Sequence, residues 1–113
     1  MQTPLNDSFA EVEGSISLND YFQIGRELVE KELFAEGAAI FRYLIFKHPT
    51  ASWSWYWLVV CHRGLGQPDV AAQLSEVAAG NCGPAFFKLA AVSWQEAGDE
   101  LRATRCHELG AAQ

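Results

Sequence analysis

Large, small and polar residues recur at helical spacing along the chain, and the pattern is clearest between residues 21 and 49. Tyr21, Gly25 and Leu28 follow one another at intervals of four and three residues, which places them on one face of a helix. Phe41 belongs to a second helix, and Pro49 ends it, because the residue before a proline disfavours the helical region. This stretch predicts a hairpin of two antiparallel helices.

The same pattern returns twice, after 34 residues and after a further 32. Each copy carries an aromatic residue, then a small or aliphatic residue four places later, and mostly small residues on the second helix. The corresponding positions are Trp55, Val59, Ala71 and Ser75 in the second copy, and Phe87, Ala91, Ala103 and His107 in the third. Close packing of two helices explains the pattern, since the aromatic ring fills a gap and the small residue permits close approach. A helical hairpin with a period of about 34 residues resembles the tetratricopeptide repeat.

This resemblance implies an all-α fold in which three helical hairpins stack as a short right-handed solenoid. The predicted domains are a flexible N-terminal tail, residues 1–16, and a three-repeat helical domain, residues 17–113. The repeats are predicted to span about 18–51, 52–83 and 84–113.

Local signals predict where the helices begin and end. Ser17 followed by Asp20 resembles a capping box, so the first helix begins there and runs to about Phe34. Glycine and proline predict the remaining boundaries. These are a turn at 35–37, a turn at Gly66, a loop at 80–83, the start of the fifth helix at Pro84, and a turn at Gly98.

The composition is that of a folded, acidic protein. Half of the residues are apolar and 19% are charged, so the 113 residues are able to bury a modest core. The net charge is −6 without a basic stripe, which argues against nucleic acid and anionic membranes as partners. No apolar stretch is long enough to span a bilayer, so membrane insertion is not expected. The first 17 residues lack the features of a signal peptide, and the three cysteines form no CxxC pair, which favours a cytoplasmic location.

The first helix of each hairpin is predicted to line an inner groove, as in other stacked repeats. Groove positions lie one residue after the packing aromatic and at helical spacing from it. They are Phe22, Arg26 and Val29 in the first unit, Trp53, Tyr56, Val60 and Arg63 in the second, and Lys88 and Val92 in the third. Such a groove suits a hydrophobic client protein segment or a partner helix, which needs apolar anchors and a few polar groups for orientation. For Trp53 and Tyr56 the alternative is cover by a loop or by the N-terminal tail.

Two cysteine–histidine pairs, Cys61-His62 and Cys106-His107, are the residues that most suggest chemistry. Adjacent residues on a helix point about 100° apart, so neither pair is able to meet internally. We therefore expect buried thiols, packed or solvated histidines, no metal site and no cofactor. The sequence contains no phosphate-binding glycine loop, GxSxG or HExxH motif, and it predicts no enzymatic activity.

Three segments, one in each repeat, carry a closer resemblance: Ile40–Phe46, Cys61–Gln67 and Phe86–Gln95. They resemble the class II chaperones of bacterial type III secretion, which hold hydrophobic translocator proteins in the cytoplasm before export. The resemblance implies a chaperone whose groove holds a short, extended, apolar client segment. The alternative is a tetratricopeptide scaffold or subunit of a stable assembly, which would bind through Phe41 or Tyr43 on a second helix that is apolar nearly all round. Either protein could form a homodimer or a hetero-oligomer.

Overall fold

A computed structural model describes residues 16–112, which form six helices and no strand. The helices are α1 Leu18–Glu30, α2 Phe34–Lys47, α3 Ser52–Gly64, α4 Pro68–Cys82, α5 Phe86–Glu96 and α6 Glu100–Ala111. Each helix packs against the next helix in the chain, and α1 also touches α3. The predicted all-α class is therefore confirmed, and the contacts agree with stacked helical hairpins. The tetratricopeptide assignment and the right-handed stacking stay predictions.

A capping box starts α1, as predicted. The Asp20 amide donates to Ser17 Oγ at 3.1 Å, and the Ser17 amide donates to the Asp20 carboxylate at 3.2 Å. These reciprocal bonds satisfy amides that lack a partner at the start of a helix. The predicted tail, residues 1–16, lies outside the described residues except for Ile16, and the division into tail and domain stays a prediction.

The first interhelical turn lies earlier in the chain than predicted. α1 ends at Glu30, about one helical turn before its predicted end, and Glu32 adopts the left-handed conformation with a φ of 60°. The Leu33 amide then donates to the Leu28 carbonyl at 2.9 Å, which closes the turn. The predicted turn at 35–37 is wrong, because these residues form the first turn of α2.

Gly37 lies within α2, where its small size permits close packing of helices, and it does not form a turn. A Cβ atom at Gly37 would lie 3.2 Å from Val29 Cγ2 and 3.3 Å from Cys61 Sγ. At Gly25 the space is smaller still, since a Cβ atom there would lie 2.7 Å from the Phe41 ring. The small residues of the first repeat therefore let α1, α2 and α3 approach one another.

The predicted loop at 80–83 is wrong as well, because α4 continues through it to Cys82. A glycine inside a helix costs only about 1 kcal/mol, and the long contact between α4 and α5 offsets this cost. The helix ends before Gly83, whose φ is 130°. α5 begins at Phe86, two residues after the predicted start at Pro84. The two other predicted glycine turns are confirmed by their left-handed conformation, with φ values of 74° at Gly66 and 84° at Gly98.

Two apolar clusters form the core. The first joins α2 to α3 and contains Phe41, Leu44 and Leu58, and the second joins α4, α5 and α6 through Trp94 and small residues. α2 packs against both α1 and α3, but Phe46 near its end is 79% exposed. Within residues 16–112, no helix combines the length and the apolar character needed to cross a membrane.

Candidate partner-binding groove

Side chains of α3 and α5 border an apolar recess with a volume of about 410 Å³. Three predicted groove residues line this recess: Tyr56, Lys88 and Val92. Lys88 lies 32 positions after Tyr56 in the sequence. Val92 is 43% exposed, whereas Ala91 beside it is buried. We name this site the Tyr56 recess; its remaining lining residues are Ala85, Phe86 and Leu89.

The same two helices border a second recess of about 440 Å³, which we name the Arg63 recess. It is lined by the predicted groove residues Val60 and Arg63 together with Phe34, Gly64 and Glu96. Arg63 donates to Glu96 through Nε at 2.9 Å and through a terminal nitrogen at 2.5 Å. These hydrogen bonds raise the pKa of the Arg63 guanidinium above its ordinary value. The two-point ion pair therefore ties α3 to α5. The two recesses together are called the groove below.

Aromatic rings extend the groove from the Tyr56 recess towards α1. Trp53 is 68% exposed and packs edge-on against Tyr56, with ring centres 6.4 Å apart. Tyr56 in turn meets Trp57 edge-on at 5.5 Å, and the Arg26 guanidinium lies 5.4 Å from the centre of the Trp57 ring. We name Trp53, Tyr56 and Trp57 the aromatic strip. The predicted groove residues Trp53 and Arg26 are thus linked through ring contacts to the Tyr56 recess.

Two of the predicted groove residues, Phe22 and Val29, are half-buried and pack against the first core cluster. The Phe22 ring meets the buried Phe41 ring edge-on, with centres 5.8 Å apart. Both side chains therefore stabilise the first hairpin. Their contact with a partner stays a prediction.

The sequence reasoning omitted three residues that the structure places in or beside the groove. Phe86 and Leu89 line the Tyr56 recess, and Trp57 supports Arg26. The spacing of three between Phe86, Leu89 and Val92 is a signal that could have indicated the first two. The pairing of Glu96 with Arg63 gave no sequence signal, because it depends on how adjacent hairpins stack.

His62 is buried and forms a polar bridge between two elements. An Arg42 nitrogen donates to His62 Nε2 at 2.7 Å; since arginine only donates, Nδ1 carries the proton and donates to Gln67 Oε1 at 2.8 Å. The ring thus connects α2 to the turn after α3. Among residues 16–112, no three His, Cys, Asp or Glu side chains are grouped so as to hold a metal ion.

Cys61 and Cys106 are buried, as predicted. Burial raises the pKa of each thiol to about 11. Glu76 reinforces this shift at Cys106, whereas Arg42 partly opposes it at Cys61. Thiols of this kind remain protonated at neutral pH and are poor nucleophiles. Both side chains fill space in the core clusters.

No protein-family model matches the sequence, and no curated protein matches it. Among solved structures, a chain of the CopN–Scc3 complex is similar to this chain, with a TM-score of 0.73 and 21% sequence identity. The chain therefore shares a helical fold with a chain of that complex. The match covers 85% of this chain and 59% of the other, so this chain spans less than two thirds of that chain's length. At this identity the likeness concerns the fold alone.

Proposed function

We propose that this protein is a cytoplasmic, non-enzymatic chaperone that holds an apolar segment of a secretion-system client in its groove before export. The observation that carries the proposal is the Tyr56 recess, an exposed apolar site formed by two adjacent hairpins. A fold neighbour that was solved in a complex of two proteins, CopN and Scc3, supports a role in binding protein partners. The resemblance of three sequence segments to class II chaperones supports the secretion-system client.

The size and openness of the groove suit reversible binding. The Tyr56 recess has a volume of about 410 Å³, enough for a large apolar side chain of an extended segment. Burial of one such side chain contributes about 1.5–3 kcal/mol, which by itself gives only weak binding. Contacts along the aromatic strip would add to it, since Trp53 and Tyr56 are both exposed. A chaperone needs moderate affinity of this kind because it must release its client.

A matched pair of substitutions tests whether the groove binds apolar segments. Val92→Asn places an amide in the Tyr56 recess, whereas Val77→Asn makes the same change on α4, where Val77 is 52% exposed and lines neither recess of the groove. The probe is a fluorescent peptide of about twelve residues, with a central leucine for the Tyr56 recess, two further apolar residues for the aromatic strip, and Ala, Ser and Gln elsewhere. Loss of part of an apolar contact costs roughly 1 kcal/mol, so the peptide should bind Val92→Asn about fivefold more weakly than wild type. The affinity of Val77→Asn for the peptide should be unchanged.

Fluorescence anisotropy of the labelled peptide measures both affinities, and a peptide with serine in place of leucine shows whether the anchor is required. Equal affinity for the leucine and serine peptides would contradict the proposal. Equal binding by the two valine variants would also contradict it, because the groove would then not be the binding surface.

Exposed apolar residues away from the groove favour a second candidate function, that of a scaffold subunit in a stable assembly. Phe46 on α2 is 79% exposed and Leu101 on α6 is 83% exposed, and neither lines the groove. The structure corrects the expected outer contact at Phe41, which is fully buried. For a scaffold, Phe46→Ser or Leu101→Ser should release the partners that copurify with the tagged protein, and Val92→Asn should retain them. For a chaperone, Val92→Asn should release the partners, and Phe46→Ser and Leu101→Ser should retain them.

A further inference from the structure

We infer that the segment held in the groove carries acidic residues beside its apolar anchor, and that Lys88 and Arg26 recognise them. This inference rests on the proposed function and specifies the chemistry of the client. It follows from the position of two cations at either end of the apolar surface, neither of which has a carboxylate within ion-pair distance among residues 16–112.

Lys88 is an exposed residue at the edge of the Tyr56 recess. It also borders a neighbouring recess of about 500 Å³ between α5 and α6, where Glu108 is one of the other lining residues. No carboxylate in residues 16–112 lies within ion-pair distance of the Lys88 ammonium group. Because Glu108 would repel an acid on the α6 side, an acidic residue of the client is expected on the side of Tyr56.

Arg26 occupies the other end of the aromatic strip. Its guanidinium lies over the Trp57 ring at 5.4 Å, and Trp57 contacts Tyr56, which borders the same recess as Lys88. Stacking on the ring leaves the edge of the guanidinium available as a donor. In the described part of the chain, Arg26 too has no carboxylate within ion-pair distance. An extended segment on the strip would therefore have a cation near each end.

Two other arginines do have carboxylate partners in the structure. Arg63 pairs with Glu96 at the far end of the groove, and Arg102 pairs with Asp99 at 3.2 Å on α6. The sequence has 14 acidic residues and 8 lysines and arginines, so the lack of a carboxylate partner for Lys88 and Arg26 among residues 16–112 is not a consequence of scarce acids. The local charge of the groove is thus opposite to the net charge of −6.

The net charge of the protein and the local charge of the groove lead to opposite expectations about the client, which makes the inference testable. The net charge alone favours a client with basic flanks, while Lys88 and Arg26 favour acidic flanks. Long-range attraction between separated charges is largely screened beyond about 8–10 Å at moderate salt, whereas contact pairs beside apolar surface are screened less. Contact pairs should therefore decide the preference at physiological ionic strength.

The experiment compares three fluorescent peptides that share the central leucine and differ only in two flanking residues, which are Asp, Asn or Lys. With the wild-type full chain at about 0.1 M salt, we expect the Asp peptide to bind about two- to fivefold more tightly than the Asn peptide for each ion pair formed. The Lys peptide should bind more weakly than the Asn peptide. All three affinities should converge as the salt concentration rises to about 1 M.

Charge reversal identifies the groups responsible. Lys88→Glu should remove most of the preference for the Asp peptide over the Lys peptide, because it replaces one attractive contact by a repulsive one while Arg26 remains. Lys47→Glu changes the net charge equally, but Lys47 stacks on Tyr43 at 5.6 Å and borders none of the recesses described above, so it should leave that preference unchanged. Arg26→Glu should reduce the preference for Asp in the same way as Lys88→Glu.

Three results would overturn the inference while leaving the proposed function intact. The first is equal affinity for the three peptides, combined with weaker binding to Val92→Asn, and the second is an equal effect of Lys88→Glu and Lys47→Glu. Tighter binding of the Lys peptide to wild type would show that net charge dominates and would also overturn it. Failure of all three peptides to bind, or equal binding of the Asn peptide to wild type and Val92→Asn, would overturn the proposed function and the inference together.

Discussion

Replacement of Gly25 by alanine tests the close packing that joins α1 to α2. The new Cβ atom would lie 2.7 Å from the Phe41 ring, whereas ordinary van der Waals contacts begin at 3.4 Å. The ring has little freedom to move away, because Phe22 packs against it edge-on at 5.8 Å and Trp57 stacks on it at 6.3 Å. Gly25→Ala must therefore separate the two helices or distort the core around Phe41.

The expected loss of stability is the difference between two opposing effects. Overpacking of a tight core costs about 1–3 kcal/mol, and the clamped Phe41 ring places this site near the upper value. Alanine recovers about 1 kcal/mol, because it is a better helix former than glycine. The net loss in the free energy of unfolding at Gly25→Ala is thus about 2 kcal/mol. For a domain of this size, such a loss lowers Tm by about 8–16 °C.

Gly80→Ala is the matched control, since it makes the same change where nothing lies within 4 Å of the new Cβ atom. Gly80 lies in the last turn of α4, so helix propensity alone should stabilise this variant by about 0.5 kcal/mol. Urea unfolding followed by far-ultraviolet circular dichroism measures both changes. The reasoning is refuted if Gly25→Ala is as stable as wild type or if the two variants shift stability in the same direction.

Three further changes test the cap, a buried indole and the buried thiols. Ser17→Ala removes the acceptor of the Asp20 amide and should lower the free energy of unfolding by about 1 kcal/mol; an unchanged urea midpoint would contradict this. Trp55→Phe loses the indole donor to the Pro49 carbonyl at 2.7 Å and should cost about 1–2 kcal/mol, whereas Trp53→Phe, at an exposed ring, should cost little in the same assay. Cys61 and Cys106 have folded-state pKa values of about 11 against an ordinary value of 9.0, so the folded protein binds their protons more tightly. Stability should hold below about pH 9 and fall as the pH rises towards 11. Cys61→Ala should make that fall smaller, and an equal fall in the variant would show that this thiol is not responsible.

Local sequence signals determined the features of this protein that depend on neighbouring residues in the chain. The period of about 34 residues predicted the helical hairpins, and the Ser17–Asp20 pair predicted the capping box. Gly66 and Gly98 marked two turns because the left-handed conformation found there is accessible to glycine without steric cost. Each of these signals acts within one helix or one turn, so it is visible without knowledge of the fold.

Tertiary packing decided the features on which the sequence prediction failed or was silent. α4 continues through Gly80 because contact with α5 outweighs the small helix propensity of one glycine, and Gly37 is small because α1 and α3 press against it. The approach of Tyr56 to Lys88 and the pairing of Arg63 with Glu96 join residues from different hairpins. Their distances depend on how the repeats stack. Sequence periodicity fixes the face of each helix but leaves undetermined which side chains of separate hairpins come into contact.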